Sequence, residues 1–325
     1  MKRFKQILCV VAHGKQDQLA LERAVSLAEN NNAKLTVATV TPLVAADIEI
    51  TDGSPVSTDL QDAIVNLKQQ ELENLVQPYR ERLVIQTRVL VGISFLEIIR
   101  EVLHQGHDLV IKIPDTADWL DRLFASDDMH LLRKCPCPVW LIKSETAKTY
   151  RRILAAVDVN NEGQPDEQNV KMALNRQILE MAISLALSEF AELYIVHVWE
   201  AVGESAMRDG FLRTPEEKII SYVEQLRQQQ ATRFDSLIHE VTSSMGQDAV
   251  NYLKPQTHLV KGQARKEIPA LAKQISCDLV VMGTVARTGI PGFIMGNTAE
   301  TILNQIDCSV LAIKPPGFQT PVTIE

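Results

Sequence analysis

Residues 282–300, Met-Gly-Thr-Val-Ala-Arg-Thr-Gly-Ile-Pro-Gly-Phe-Ile-Met-Gly-Asn-Thr-Ala-Glu, hold the residue types and spacing best suited to binding chemistry. They follow the apolar run Leu279-Val-Val-Met282 and precede Ile302, Leu303 and Ile306 at helical spacing, which predicts a strand-to-helix loop. Asn297, with Glu300 three residues on, predicts an N-cap with a capping box. Free N–H groups at such a helix start, together with its dipole, favour an anion by about 0.3–1 kcal/mol per charge at exposed sites. Gly283 and Gly296 place no side chain where phosphate oxygens would approach the backbone, and Arg287 adds a movable positive charge. The loop lacks a Gly-Lys-Ser/Thr ending, so it is not a Walker A loop.

Other reactive residues give weaker signals. Cys135-Pro-Cys137 lies just before a strand, but Cys-x-Cys with no neighbouring Cys/His cluster favours buried structural cysteines over a redox or metal pair. His13 falls just past the first strand, at the mouth of a possible pocket. His197 sits inside an apolar strand and reads as a satisfied core histidine. No Ser–His–Asp order, His-Glu-x-x-His or paired-carboxylate signature stands out, so the expectation is a binding protein and not an enzyme.

The elements that must position this loop occur twice. Ile7-Leu-Cys-Val-Val-Ala12 recurs as Ile153-Leu-Ala-Ala-Val-Asp158, and Ala33-Lys-Leu-Thr-Val-Ala-Thr-Val40 as Ala191-Glu-Leu-Tyr-Ile-Val-His-Val198. Leu90-Val-Gly92 pairs with Val260-Lys-Gly262, Asp108-Leu-Val-Ile111 with Asp278-Leu-Val-Val281, and Val139-Trp-Leu-Ile-Lys143 with Val310-Leu-Ala-Ile-Lys314. The spacing between copies grows from 146 to 158 residues after Asp158, which predicts an insertion in the polar stretch 160–169. It grows again, to 170, before Gly262. Long helices are expected with apolar positions at Leu60, Ala63, Ile64 and Leu67, and at Ile219, Ile220, Val223 and Leu226. Strands apolar on both faces, alternating with helices, predict an α/β protein of two tandem doubly wound parallel-sheet domains, residues 1–146 and 147–325. Ligands of such folds sit beyond the carboxyl ends of the strands, at the topological switch point.

The length of 325 residues suits two cores, and 46% apolar residues suffice to fill them. A net charge of −8 argues against a nucleic-acid partner. Five cysteines without zinc spacing suggest a reducing compartment. The start Met-Lys-Arg-Phe-Lys-Gln resembles a signal n-region, but the apolar run 7–12 that follows has the length of a strand. No stretch reaches the length of a membrane span, and the cytoplasm is the expected compartment.

At its glycine loop, and along both copies, the chain resembles the universal stress protein family, whose nucleotide-binding members carry Gly-x2-Gly-x9-Gly-Ser/Thr. The pattern here is Gly283-x2-Ala286-x9-Gly296-Asn297, with alanine and asparagine at two of the family positions. The resemblance implies strand order 3-2-1-4-5 in each domain and a regulatory adenine-nucleotide (ATP-like) site in the second. It assigns Asp158 to the nucleoside, Val198 and Gly262 to adenine and ribose, and Met282, Gly283, Ala286, Arg287, Gly296, Asn297 and Thr298 to the rest of the ligand. A role in stress resistance is likewise implied by the family alone. Because single-domain members pair through their last strands, the tandem chain is expected to be a monomeric pseudo-dimer, with at most weak further dimerisation. Fusion gives each apolar last strand a partner in the same chain.

The matching stretch of the first copy, residues 112–130, has Ile113 at the place of Gly283, while Ala12 replaces Asp158. Asp115, Asp118, Asp121, Asp127 and Asp128 would repel a triphosphate, so the first domain is expected to lack the phosphate site. Trp119, Leu120, Leu123 and Phe124 predict a segment packed on a core or, alternatively, a pocket for an apolar, lipid-like ligand. A slow ATPase is the remaining alternative, with Asp158 its one candidate metal carboxylate.

Overall fold

The computed structural model describes residues 4–12, 17–44, 56–114, 127–143, 149–160, 164–208, 214–245, 252–284 and 295–324. The first half supplies strands β1 Gln6–Val10, β2 Lys34–Thr41, β3 Ile85–Val91, β4 Leu109–Lys112 and β5 Val139–Leu141. The second supplies β6 Arg152–Val157, β7 Glu192–Trp199, β8 Gln256–Lys261, β9 Leu279–Gly283 and β10 Ser309–Ile313. All ten join one sheet in the order β3-β2-β1-β4-β5-β10-β9-β6-β7-β8. Each half therefore has the order 3-2-1-4-5 and is parallel throughout. The halves meet through one antiparallel pairing, Val310 with Leu141, Leu311 with Trp140 and Ala312 with Val139.

Helices cover both faces: α1 Asp17–Asn31, α2 Val56–Val76, α3 Ser94–Gln105 and α4 Asp127–Lys134, then α5 Pro165–Glu189, α6 Glu204–Arg208, α7 Glu216–Met245, α8 Ala264–Gln274 and α9 Asn297–Leu303. Alternate strand residues point to opposite faces. Ile7 and Cys9 accordingly join Leu21, Leu72, Leu179 and Phe234 in one core. Leu8 and Val10 join Ile98, Leu132, Ile268 and Ile302 in the other. Both cores run without a break across the β5–β10 joint, since Trp140 and Leu311 fall in the first and Leu141 and Val310 in the second. Among the described residues no helix is long and apolar enough to cross a membrane.

Two sequence expectations are corrected here. Helix α2 forms, but Leu60, Ala63 and Leu67 face solvent, and its buried anchors are Leu72 and Val76. The packed stripe lies nearer the C-terminal end, where α2 lies over β2 and β3. In α7, Ile219 is buried while Ile220 is exposed. The second correction concerns the insertion at 160–169, which is not all loop. Pro165 opens α5, and Gln164 and Glu167 close the capping box that starts it.

Candidate functional site

At the switch point of the second half, between β6 and β9, the carboxyl ends of the strands open into a cleft of about 940 Å³. Ala156 and Val157 supply the end of β6, Val198 that of β7, and Met282 and Gly283 that of β9. Of the sequence-predicted residues, Asp158, Val198, Gly262, Met282, Gly283, Gly296 and Thr298 line this one cavity. Asn297 does not line it, and Ala286 and Arg287 lie outside the described residues.

The local geometry explains several of these positions. Asp158 stands just past β6, where Asn175 of α5 accepts its backbone N–H (3.0 Å) and donates to its carbonyl (2.8 Å). The Asp158 carboxylate accepts the Asn160 N–H (3.0 Å) and pairs with Lys171 Nζ at 2.8 Å. Gly262 has φ +151°, and a Cβ there would stand 2.7 Å from Glu267 Oε1. Both its backbone conformation and its crowding thus require glycine. Gly283 has a packing reason beside the one its spacing suggests. A Cβ on it would meet Leu174 Cδ2 at 2.7 Å, so glycine here lets α5 close onto the end of β9.

The predicted N-cap shifts by one residue. Gly296, with φ −67° and ψ 138°, is the cap of α9, and no side chain caps the helix. Asn297 is its first helical residue, and Glu300 pairs instead with Arg133 of α4, 2.5 Å away. Thr284 ties the loop ends: its carbonyl accepts the Gly296 N–H (3.2 Å), and its hydroxyl accepts from Lys314 Nζ (2.8 Å). Burial lowers the Lys314 pKa to about 8. Its ammonium also donates to the Leu132 carbonyl at the end of α4.

His197 is the satisfied core histidine expected. Its Nδ1 lies 3.3 Å from the Val157 carbonyl and its Nε2 3.2 Å from Gln230 Oε1. All five cysteines are buried and free, with Cys135 Sγ 3.6 Å from Cys137 Sγ. Among the described residues no group of three His, Cys, Asp or Glu side chains could hold a metal. His13 lies outside the described residues.

The corresponding place in the first half is a cleft of about 450 Å³, lined by Ala12, Val40, Gly92, Lys112 and Asp127 among others. Ile113 follows β4 where Gly283 ends β9. The Lys112 ammonium lies 2.9 Å from Asp128, and both side chains are buried. Asp128 is therefore neutralised by a lysine and does not add to the repulsion its sequence position suggests. Trp119, Leu120, Leu123 and Phe124 lie outside the described residues, as do Asp115, Asp118 and Asp121.

The sequence reading missed the wall of the larger cleft. Glu167, Val170, Lys171 and Leu174 of α5 all line it. Its one sequence signal was the growth in repeat spacing after Asp158.

Fold and cleft define a tandem, doubly wound α/β protein with an open cleft at one switch point. The chain belongs to the universal stress protein family, whose sequence profile matches residues 3–143 and again residues 149–314. It is similar to universal stress protein E of Escherichia coli strain K12, 29% identical over 331 residues spanning all of this chain and 98% of the relative. The universal stress protein E homolog of Haemophilus influenzae strain Rd is 30% identical over 320 residues, covering 96% of this chain and 98% of that one. Among solved structures, a universal stress protein of Pseudomonas aeruginosa UCBPP-PA14 superposes with a TM-score of 0.64 at 28% identity, covering 97% and 94% of the two chains. One from Archaeoglobus fulgidus DSM 4304 shares the fold at 16% identity, with a TM-score of 0.61 and coverage of 95% and 98%.

Proposed function

We propose that the cleft of the second domain is a regulatory adenine-nucleotide site, and that the chain serves stress resistance in the cytoplasm by binding and not by turnover. The observation that carries this reading is the convergence of seven sequence-chosen residues on one cavity at the switch point. Its volume falls in the range of small-molecule sites, roughly 300–1,000 Å³. Asp158 supplies a half-exposed carboxylate at one end, and Gly283, Gly296 and Thr298 leave backbone and a small hydroxyl at the other. The first domain differs at its described residues. Ala12 has no carboxylate, and the buried Lys112–Asp128 pair lies beside the end of β4, where β9 has Met282 and Gly283. Calorimetric titration with ATP should therefore give one site per chain, abolished by Gly296→Val, whose branched side chain would enter the cleft. Two equivalent sites, or none, would overturn the reading.

A further inference from the structure

Helix α5 begins ten residues earlier than its counterpart requires. Asn175 takes the N–H of Asp158 (3.0 Å) as Asp17, the first residue of α1, takes the N–H of Ala12 (3.0 Å). Residues 165–174 are thus added turns, where the first domain has only the four residues 13–16 between Ala12 and Asp17, and four of the added residues line the cleft. The charged pair on this added wall, Glu167 and Lys171, is divided in its duties. Glu167 accepts the Gln164 N–H (3.3 Å) in the capping box, while the Lys171 ammonium projects to Asp158 (2.8 Å) and to the Asn160 carbonyl (3.1 Å).

From this geometry we infer that Lys171 is a polyphosphate-reading cation, and that the surplus turns of α5 are the subsite that distinguishes a nucleoside polyphosphate from a nucleoside. The inference rests on the nucleotide reading of the same cleft. Leu174 lies one turn beyond Lys171 and touches the Cβ position of Gly283 at 2.7 Å. Lys171 is therefore rooted one helical turn, about 5 Å along α5, from the residue whose side chain reaches the glycine end, and its four-carbon stem carries the ammonium beyond its own backbone position. Its present partner is easily exchanged. Lys171 is 27% and Asp158 53% exposed, and a water-screened pair of this kind contributes little to stability. A ligand carrying several negative charges competes for the ammonium more strongly than one carboxylate does. Release of Lys171 would also free Asp158 to accept hydrogen bonds from the ligand's hydroxyl groups. Among the described residues the other cation lining the cleft is Arg265, on the Gly262 side, where it donates to Gln263 Oε1 (3.2 Å). At the place of the acid the first domain has Ala12.

Dissociation constants of the full chain for ATP, AMP and adenosine, measured for wild type, Lys171→Met and Lys171→Arg, test this. The expected result is at least a tenfold loss of ATP affinity in Lys171→Met, a smaller loss for AMP, adenosine within twofold, and recovery of most ATP affinity in Lys171→Arg. Unchanged ATP affinity in Lys171→Met would overturn the subsite. So would an equal loss for ATP and adenosine, which would mean that Lys171 only holds Asp158 in place. Wild type binding adenosine as tightly as ATP would overturn the subsite and leave the nucleoside site standing. Wild type binding none of the three would overturn both.

Discussion

His197 shows how one residue's surroundings set its chemistry. It is fully buried in β7 between the Val157 carbonyl and Gln230, and burial holds its pKa below the ordinary 6.5 against the opposing pull of Asp158. Once the pH falls below about 6.5, the unfolded chain binds a proton that the folded chain does not. Its contribution is thus fully present above 6.5 and is lost as the pH falls towards the lowered folded value. The slope for one proton is at most about 1.4 kcal/mol per pH unit. Depressed carboxylates such as Glu204 act only below their ordinary 4.5, outside this window. Urea midpoints between pH 7 and 5 should fall more steeply for wild type than for His197→Gln, and parallel curves would refute the argument. That histidine was legible because an apolar strand surrounds it in sequence. Lys171 was not, since a lysine in a polar insertion looks like any solvated charge until the insertion folds as helix against the cleft. Asn297 misled for the opposite reason. Its residue type suits a cap, but the bend that starts α9 falls one residue earlier, at Gly296.

At the scale of elements, periodicity located the helices better than it located their buried faces. Leu60, Ala63 and Leu67 keep helical spacing, yet a helix longer than the sheet beneath it leaves part of its apolar stripe in water. Leu72 is fully buried, whereas Leu67 is 55% exposed. Leu72→Ala should therefore destabilise the chain by about 2–5 kcal/mol, through lost burial and the cavity left behind. Leu67→Ala should stay within about 0.5 kcal/mol. Chemical denaturation of the two variants checks this, and equal effects would mean that α2 packs by its N-terminal stripe after all. The strands were easier to read, because residues covered on both faces must be apolar without alternation. Leu279 and Val281 feed one core while Val280 and Met282 feed the other.

Over the whole molecule, the joint between the halves governs behaviour. The repeat kept an apolar last strand in each copy, and with the strand pairing that the family resemblance implies, it led to the expectation of β5 beside β10 that the sheet shows. Side-chain ties across the joint were not legible, because they link residues far apart in sequence, 182 positions for Lys314 and Leu132. Arg23 of α1 stacks over Tyr150 at 4.3 Å and Trp140 at 5.7 Å and pairs with Glu189 of α5. Lys143 pairs with Asp307, Arg133 with Glu300, and Lys314 bonds the Leu132 carbonyl. Three strand rungs alone would make a weak hinge, but both hydrophobic cores also cross the joint, so the halves should move as one body. Pairing β5 with β10 inside the chain also removes the edges through which two chains would join. Small-angle scattering of the full chain should accordingly show one compact monomeric particle, with no population of two beads swinging on a linker. Leu141→Glu would bury an unpaired carboxylate opposite Val310, at one end of the three paired rungs of the joint. That variant should either expand to two separated lobes or unfold at a lower urea concentration than wild type. A compact Leu141→Glu particle of unchanged stability would show that the joint is held by something other than these strands.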